Sequence, residues 1–414
     1  MTGRHVTPGA NVKGAVGTTA DGPGLLLPEG TRLLHIGPHK TGTTTIQGAF
    51  HGARADLLSQ GVRYAGRSRQ QAQAAHAVTG RAWHLTGGKA PPIGTWHALV
   101  REARRAREPR VVISSEFFSD ADPQAIRRIV NDLDPARVHV AVTLRPLARI
   151  VPSQYQQWVQ NGMRKSFDRW LDGTFNRPPG ARTPLFWWRH RHDRLIARWA
   201  EVVRPDAITV VVVDDRDHAM VLRVFEALLG LREATLVPDE DRTNRSLTLP
   251  EVEAVRAFNV AYKGEGLPMS LHSRVMRLGA AQLMKAREPG PDEPRLEMPQ
   301  WALDRVAVIA REMVDAIAAS GVRVIGDLES LTVVPTTGRT GDRPPEASTP
   351  PDVAASMAMG ILVAGGLARR GASTRWVEPA ELRRTSTYYL AGTLGLRLAG
   401  WLADRWRAVL DRLR

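Results

Sequence analysis

A lysine enclosed by two glycines and four threonines, in Gly37-Pro38-His39-Lys40-Thr41-Gly42-Thr43-Thr44-Thr45, has the makings of an anion site. The apolar run Leu33-Leu34-His35-Ile36 precedes it and apolar residues at helical spacing follow it, so the loop must point at a helix N-terminus. Unpaired backbone N–H groups and the positive end of the helix dipole attract phosphate there, and glycine lets the backbone come close. Gly37 and Gly42 have the spacing of a P-loop, G-x-x-x-x-G-K-[ST]. Thr43 stands where that motif places its lysine, and Lys40 lies inside the loop instead. A second anion grip is spelled by Arg145, at the end of "RVHVAVTLRP", with Ser153 eight residues on in the next helix. A third loaded strand end is Ser114-Ser115-Glu116, after "RVVISSE".

The elements that must position these residues alternate. Strands are expected at 33–36, in "GVRYAG", in "RVVISSE", in "RVHVAVTLRP" and in "ITVVVVDD" at 208–215. Helices are expected over 43–59, 97–107, 122–132 and 147–161, at "HAMVLRVFEALLG", and through 249–330. Strands alternating with helices predict an α/β fold with a mostly parallel central sheet covered on both faces, whose ligands sit at the carboxyl ends of the strands.

Composition narrows the partners. Arginine supplies 51 of the 57 basic residues, and the formal charge is +15. With no compact basic run interleaved with aromatics, the excess reads as a solvated arginine surface rather than a nucleic-acid site. Cysteine is absent, which excludes disulfides and thiolate metal sites. The N-terminal residues lack the apolar core of a secretion signal, so a cytoplasmic location is expected.

With both anion motifs in order, the chain resembles the sulfotransferases that use 3′-phosphoadenosine 5′-phosphosulfate (PAPS), in particular bacterial, carbohydrate-sulfotransferase-like members with a "HKTGTT-x-IQ" loop; the resemblance covers roughly residues 31 to 250. It implies a P-loop-like three-layer domain. It also implies that the first loop holds the 5′-phosphosulfate through Lys40, Thr41, Gly42, Thr43, Thr44 and Thr45, and that Arg145 and Ser153 hold the 3′-phosphate. Lys40 would neutralise charge on the leaving phosphate oxygens. Glu116, followed by Phe117-Phe118, matches the position of a catalytic glutamate and would be the base, with His39 as the alternative and His35 as a satisfied strand residue. "DRTNRSLT" at 241–248 loosely matches a basic loop that closes over the nucleotide, which brings in Arg242 and Asn244; helix capping by Ser246 or Thr248 competes with that reading. Asp120 reads equally as a cap or an acceptor contact, and Trp187-Trp188 as a wall for a sugar ring.

The function implied is metal-independent, in-line transfer of a sulfuryl group from PAPS to a hydroxyl, or an amine, of a carbohydrate, glycolipid or secondary metabolite, leaving 3′-phosphoadenosine 5′-phosphate (PAP). The competing readings are a nucleotide kinase or NTPase using Asp214-Asp215 for magnesium, and a non-catalytic nucleotide-binding scaffold. Four segments are expected: a disordered leader over 1–29, the α/β domain over 30–332, a Pro/Gly-rich linker over 333–352 and a helical extension over 353–414. The last of these would pack on its own domain, self-associate or touch a membrane surface weakly.

Overall fold

Leu33 and Leu34 are neighbours in the chain and belong to different cores, because successive side chains of a strand point to opposite faces of the sheet. A computed structural model describes residues 24–82, 89–176, 184–217, 219–238, 245–339 and 348–367. Within these residues six strands form one sheet: β1 (Arg32–His35), β2 (Val62–Tyr64), β3 (Arg110–Ser114), β4 (Val138–Leu144), β5 (Ile208–Val212) and β6 (Arg323–Ile325). Their order is β2-β3-β1-β4-β5-β6, and every pairing is parallel.

One face packs Leu34, Ile113, Val140 and Val210 against Trp96, Ile126 and Ile129 from the helices Gly94–Arg105 and Pro123–Asp132. The other packs Leu33, Val112, Ala141 and Val211 against Ile46, Phe50 and Phe225 from the helices Thr43–Gly52 and Met220–Leu229. All seven residues of β4 are buried, as a strand covered on both sides requires. The expected three-layer α/β architecture is therefore present, with a sheet that is wholly parallel among the described residues.

A third core lies among helices. It joins Ile150 and Tyr155 of the helix Leu147–Gln160 to Trp170, Phe186, Val252, Met276 and Val306. The helix Pro351–Gly365, which starts in the last two residues of the expected linker and runs on into the expected extension, covers this core: Val353 is buried, and Gly360 meets Gly279 so closely that a Cβ on Gly279 would lie 2.3 Å from the Gly360 carbonyl oxygen. Arg287 ties its first turn down by donating to Asp352 at 2.7 Å, while also holding Glu251 and Glu293. Residues 368–414 lie outside the described part, and no described helix is long and apolar enough to cross a membrane.

Three boundaries differ from expectation. The 43–59 helix is broken at Ala53 into Thr43–Gly52 and Arg54–Ser59. The stretch read as helical to 330 includes β6 after the long helix Gln300–Ala319. Residues 24–29, placed with the leader, bury Leu25 and Leu27, and the Leu27 N–H donates to the Leu228 carbonyl at 2.9 Å.

β1 lies between β3 and β4, and the chain crosses over it on passing from β3 to β4. The segments leaving β1, β3 and β4 therefore emerge side by side at one end of the sheet, where an open α/β sheet places its ligands.

Candidate active site

At the end of β1 the chain turns through three left-handed residues, Gly37 (φ 80°), Lys40 (φ 67°) and Gly42 (φ 85°), before entering the helix Thr43–Gly52. Gly37 is required by crowding as well as by φ: a Cβ there would lie 2.9 Å from the Glu116 Cβ and 3.0 Å from its Cα. The loop and the start of the Glu116 turn are thus in direct contact. Gly42 sits at the N-cap with no side chain to satisfy the first-turn N–H groups, so the helix start stays available to an anion.

A neutral hydrogen-bonded lattice lies beneath the loop. The His35 ring bridges the Ser114 hydroxyl at 2.8 Å and the Thr143 hydroxyl at 3.2 Å, linking β3, β1 and β4. Thr143 lies 2.9 Å from Thr41 Oγ1, which donates to the Pro38 carbonyl at 2.6 Å. Burial lowers the His35 pKa to about 3, so the ring is uncharged and serves as a spacer between hydroxyls. Of the expected loop residues, Thr41 and Thr43 are buried and Thr44 and Thr45 face outward to a greater degree.

Lys40 and Glu116 occupy the space above this lattice. Lys40 Nζ donates to Gln157 Oε1 at 3.0 Å. Burial, and to a lesser extent the charge of Lys285, bring its pKa down to about 8 against the opposing pull of Glu116. Glu116 opens the short 3-10 turn Glu116–Asp120 that follows β3. Gln47 donates to Glu116 Oε2 at 3.0 Å, and the Gln70 carboxamide, with its nitrogen toward the acid, lies 3.0 and 2.8 Å from the two oxygens. Burial raises the Glu116 pKa above the ordinary carboxylate range, and the Gln47 hydrogen bond, Arg189 and Lys40 temper the rise.

His39 stands edge-on to the Phe117 ring at 4.9 Å, with His76 on the same ring at 4.3 Å. Burial, reinforced by Arg189, His190 and Lys40, pushes its pKa well down, and no described residue partners its buried Nε2. Asp120 is neither a cap nor open to a ligand. Its carboxylate takes both arms of Arg189, each at 2.6 Å, in a buried pair that pins the Glu116 turn to the helix Leu185–His190. Trp187 and Trp188 are committed to structure as well, donating to the carbonyls of Thr174 and Asp120.

The second anion grip begins at β4. Arg145 is ion-paired with Asp215, which follows β5, and Asp215 Oδ2 also lies 3.8 Å from Arg149 Nε. Ser153 lines a cleft of about 1510 Å³ together with Arg149, Gln156, Asp215, Arg216 and Arg245. Neither Lys40 nor Glu116 lines this cleft, which flanks the loop along the ends of β4, β5 and β6. No hydrogen bond joins Arg145 to Ser153. Arg242 and Asn244 lie outside the described residues; their neighbour Arg245 is committed to Glu251 at 2.7 and 2.8 Å. Glu251 forms a capping box with Thr248, so the cap of the following helix is Thr248 and not Ser246. Asp214 is tied to Arg216 at 3.0 Å, and among the described residues no group of three acids or histidines gathers as a cation site.

Sequence reasoning overlooked the glutamines. Gln47, Gln70 and Gln157 hold the two charged groups, and Gln154 and Gln156 on the same helix as Gln157 reach His190 and the Leu247 N–H. An uncharged carboxamide carries no signal of role, although Gln47 lies one turn into the helix that the loop opens.

Neither a protein-family model nor a curated protein matches the chain. Among solved structures it is similar to one described as a sulfotransferase from Alicyclobacillus acidocaldarius, at 18% identity and a TM-score of 0.37, over 59% of this chain and 99% of that one. A likeness of that size establishes no activity for this chain, and the fold stands on the sheet described above.

Proposed function

We propose that the chain is a sulfotransferase taking PAPS as donor and a hydroxyl as acceptor, without a metal. The observation that carries this reading is that Lys40 and Glu116 come to neighbouring strand ends close enough for each charge to act on the other: an ammonium inside the glycine loop, and a desolvated carboxylate whose backbone touches that loop at Gly37. The remaining donors suit a nucleotide with phosphates at both ends, since the helix start at Thr43–Thr44 is uncapped and Arg145 Nε is buried without a partner among the described residues.

PAPS would supply the sulfuryl group and, as PAP, the leaving phosphate. Lys40 is placed to neutralise negative charge as it builds on the bridging oxygen, with the N–H groups and hydroxyls of Thr43 and Thr44 beside it. Glu116, ionised but poorly solvated, takes the proton of the acceptor hydroxyl on a carboxylate oxygen, and Gln47 and Gln70 fix that carboxylate's direction. Desolvation that pushes the His39 pKa well down makes its neutral ring a weak base, and its packing on Phe117 favours a role in shaping the loop. The polar carboxamides around Glu116 suit an acceptor rich in hydroxyls, such as a carbohydrate or glycolipid.

Calorimetry of PAP binding against ATP, with and without magnesium, tests the reading. Metal-independent binding of PAP with little for ATP is expected. Preference for magnesium-ATP would overturn it in favour of a kinase, in which Asp214 and Asp215 would first have to leave their arginines.

A further inference from the structure

Arg145 is half engaged. One terminal nitrogen, Nη2, is taken by Asp215 Oδ1, while its Nε is buried and has no partner among the described residues. An arginine offers Nε and Nη2 as one edge of a planar fork, and that edge matches two oxygens of a phosphate. A carboxylate seated on Nη2 alone therefore occupies half of a phosphate seat and leaves the other half unsatisfied. The other oxygen of Asp215 leans toward Arg149, four residues beyond Arg145, so a single carboxylate that lines the large cleft spans two guanidinium groups, of which Arg149 lines the cleft as well. Asp215 has room to move. It follows β5 in a turn, is about a quarter exposed at 27%, and lines the cleft, while the adjacent Asp214 takes Arg216 independently.

We propose that Asp215 is a stand-in for the nucleotide's 3′-phosphate, holding Arg145 until that phosphate takes both Nε and Nη2 and turns the carboxylate out into the cleft. The inference rests on the PAPS reading above and adds to it a residue that sets affinity by competing with the ligand. An arginine next to an apolar strand end would otherwise be left with unpaired donors in the empty protein. The carboxylate fills part of that need and weakens the grip on the bisphosphate product, which must leave for turnover to continue.

The test compares wild type with Asp215→Asn and Asp215→Ser in the full chain, measuring affinity for PAP and for adenosine 5′-phosphate, which lacks the 3′-phosphate. Loss of a competing ion pair that is about a quarter exposed should tighten PAP binding by about twofold to fivefold and leave adenosine 5′-phosphate unchanged. Weaker or unaltered PAP binding in the variants would overturn the proposal, because Asp215 would then contact the nucleotide itself or play no part. Equal tightening of both nucleotides would overturn it too, by reducing the effect to net charge. Thermal melts of both variants identify one that fails to fold, and the other then decides. A wild-type protein that binds no PAP sinks the donor assignment together with this inference. A wild-type protein that binds PAP, with variants no tighter, sinks the inference alone.

Discussion

The loop after β1 and the strand ends of β4 and β5 sit side by side and are built from opposite materials. Beneath Lys40 the joints are uncharged and buried: His35 between two hydroxyls, Thr41 against Thr143, Gly37 against the Glu116 backbone. Around Arg145 the joints are ion pairs, with Asp215 on Arg145, Asp214 on Arg216 and Asp217 on Arg223. Neutral bonds between buried partners have nothing to exchange with, so they fix geometry. Ion pairs at a cleft wall can trade one anion for another at small net cost. The contrast separates a rigid half suited to chemistry from an exchangeable half suited to capture and release.

The sharpest way to break this contrast is to remove the two charges of the rigid half. Lys40→Ala should lower single-turnover transfer by about 10²–10³-fold and also weaken PAP binding. Glu116→Gln should lower transfer by about 10²-fold or more while PAP affinity stays near wild type. Near-normal turnover of Glu116→Gln would return His39 as the candidate base. The pH profile sharpens the same point. Lys40 has a depressed pKa, so its charge is complete well below 8 and is lost as pH rises through about 8; Glu116 has a raised one, so its ionised form is complete only above the usual carboxylate range. The kcat/KM profile for the donor should therefore be a bell whose alkaline limb lies near 8, and Lys40→Arg should remove that limb. An alkaline limb that Lys40→Arg leaves in place would belong to another group.

In the exchangeable half the expected effects are smaller and fall on binding. Arg145→Ala should weaken PAP by about 1.5–3 kcal/mol, the range for hydrogen bonds to charged groups, and should barely affect adenosine 5′-phosphate. Smallest of all, Gly37→Ala should cost about 1–3 kcal/mol of stability in urea unfolding, from its positive φ and the meeting with Glu116. A Gly37→Ala protein as stable as wild type would mean that the loop yields, and the rigidity drawn for this half would be wrong.

How much of this was legible in the sequence depends on how local each signal is. β1 announces itself as an apolar run and β3, β4 and β5 as β-branched ones, and from them alone the loop, Glu116 and Arg145 fall at strand ends. β6 did not announce itself, because three residues of which only Ile325 is fully buried make no run, and its pairing with β5 depends on a segment more than a hundred residues away. Asp120 was ambiguous for the same reason, since its partner Arg189 lies 69 residues on. The orienting glutamines were invisible because a carboxamide acquires its role only from what folds against it.

The crossing of Gly360 over Gly279 bears on where this protein can be cut. Composition invites a boundary inside the proline-rich stretch before residue 351, and a fragment ending there would keep every strand together with Lys40, Glu116, Arg145 and Asp215. It would also strip Val353 from the helical core, release Arg287 from Asp352 and expose a groove of glycine and alanine shaped to fit another helix. Such a fragment is expected to be sticky, and the shortest well-behaved chain should run at least through Leu367.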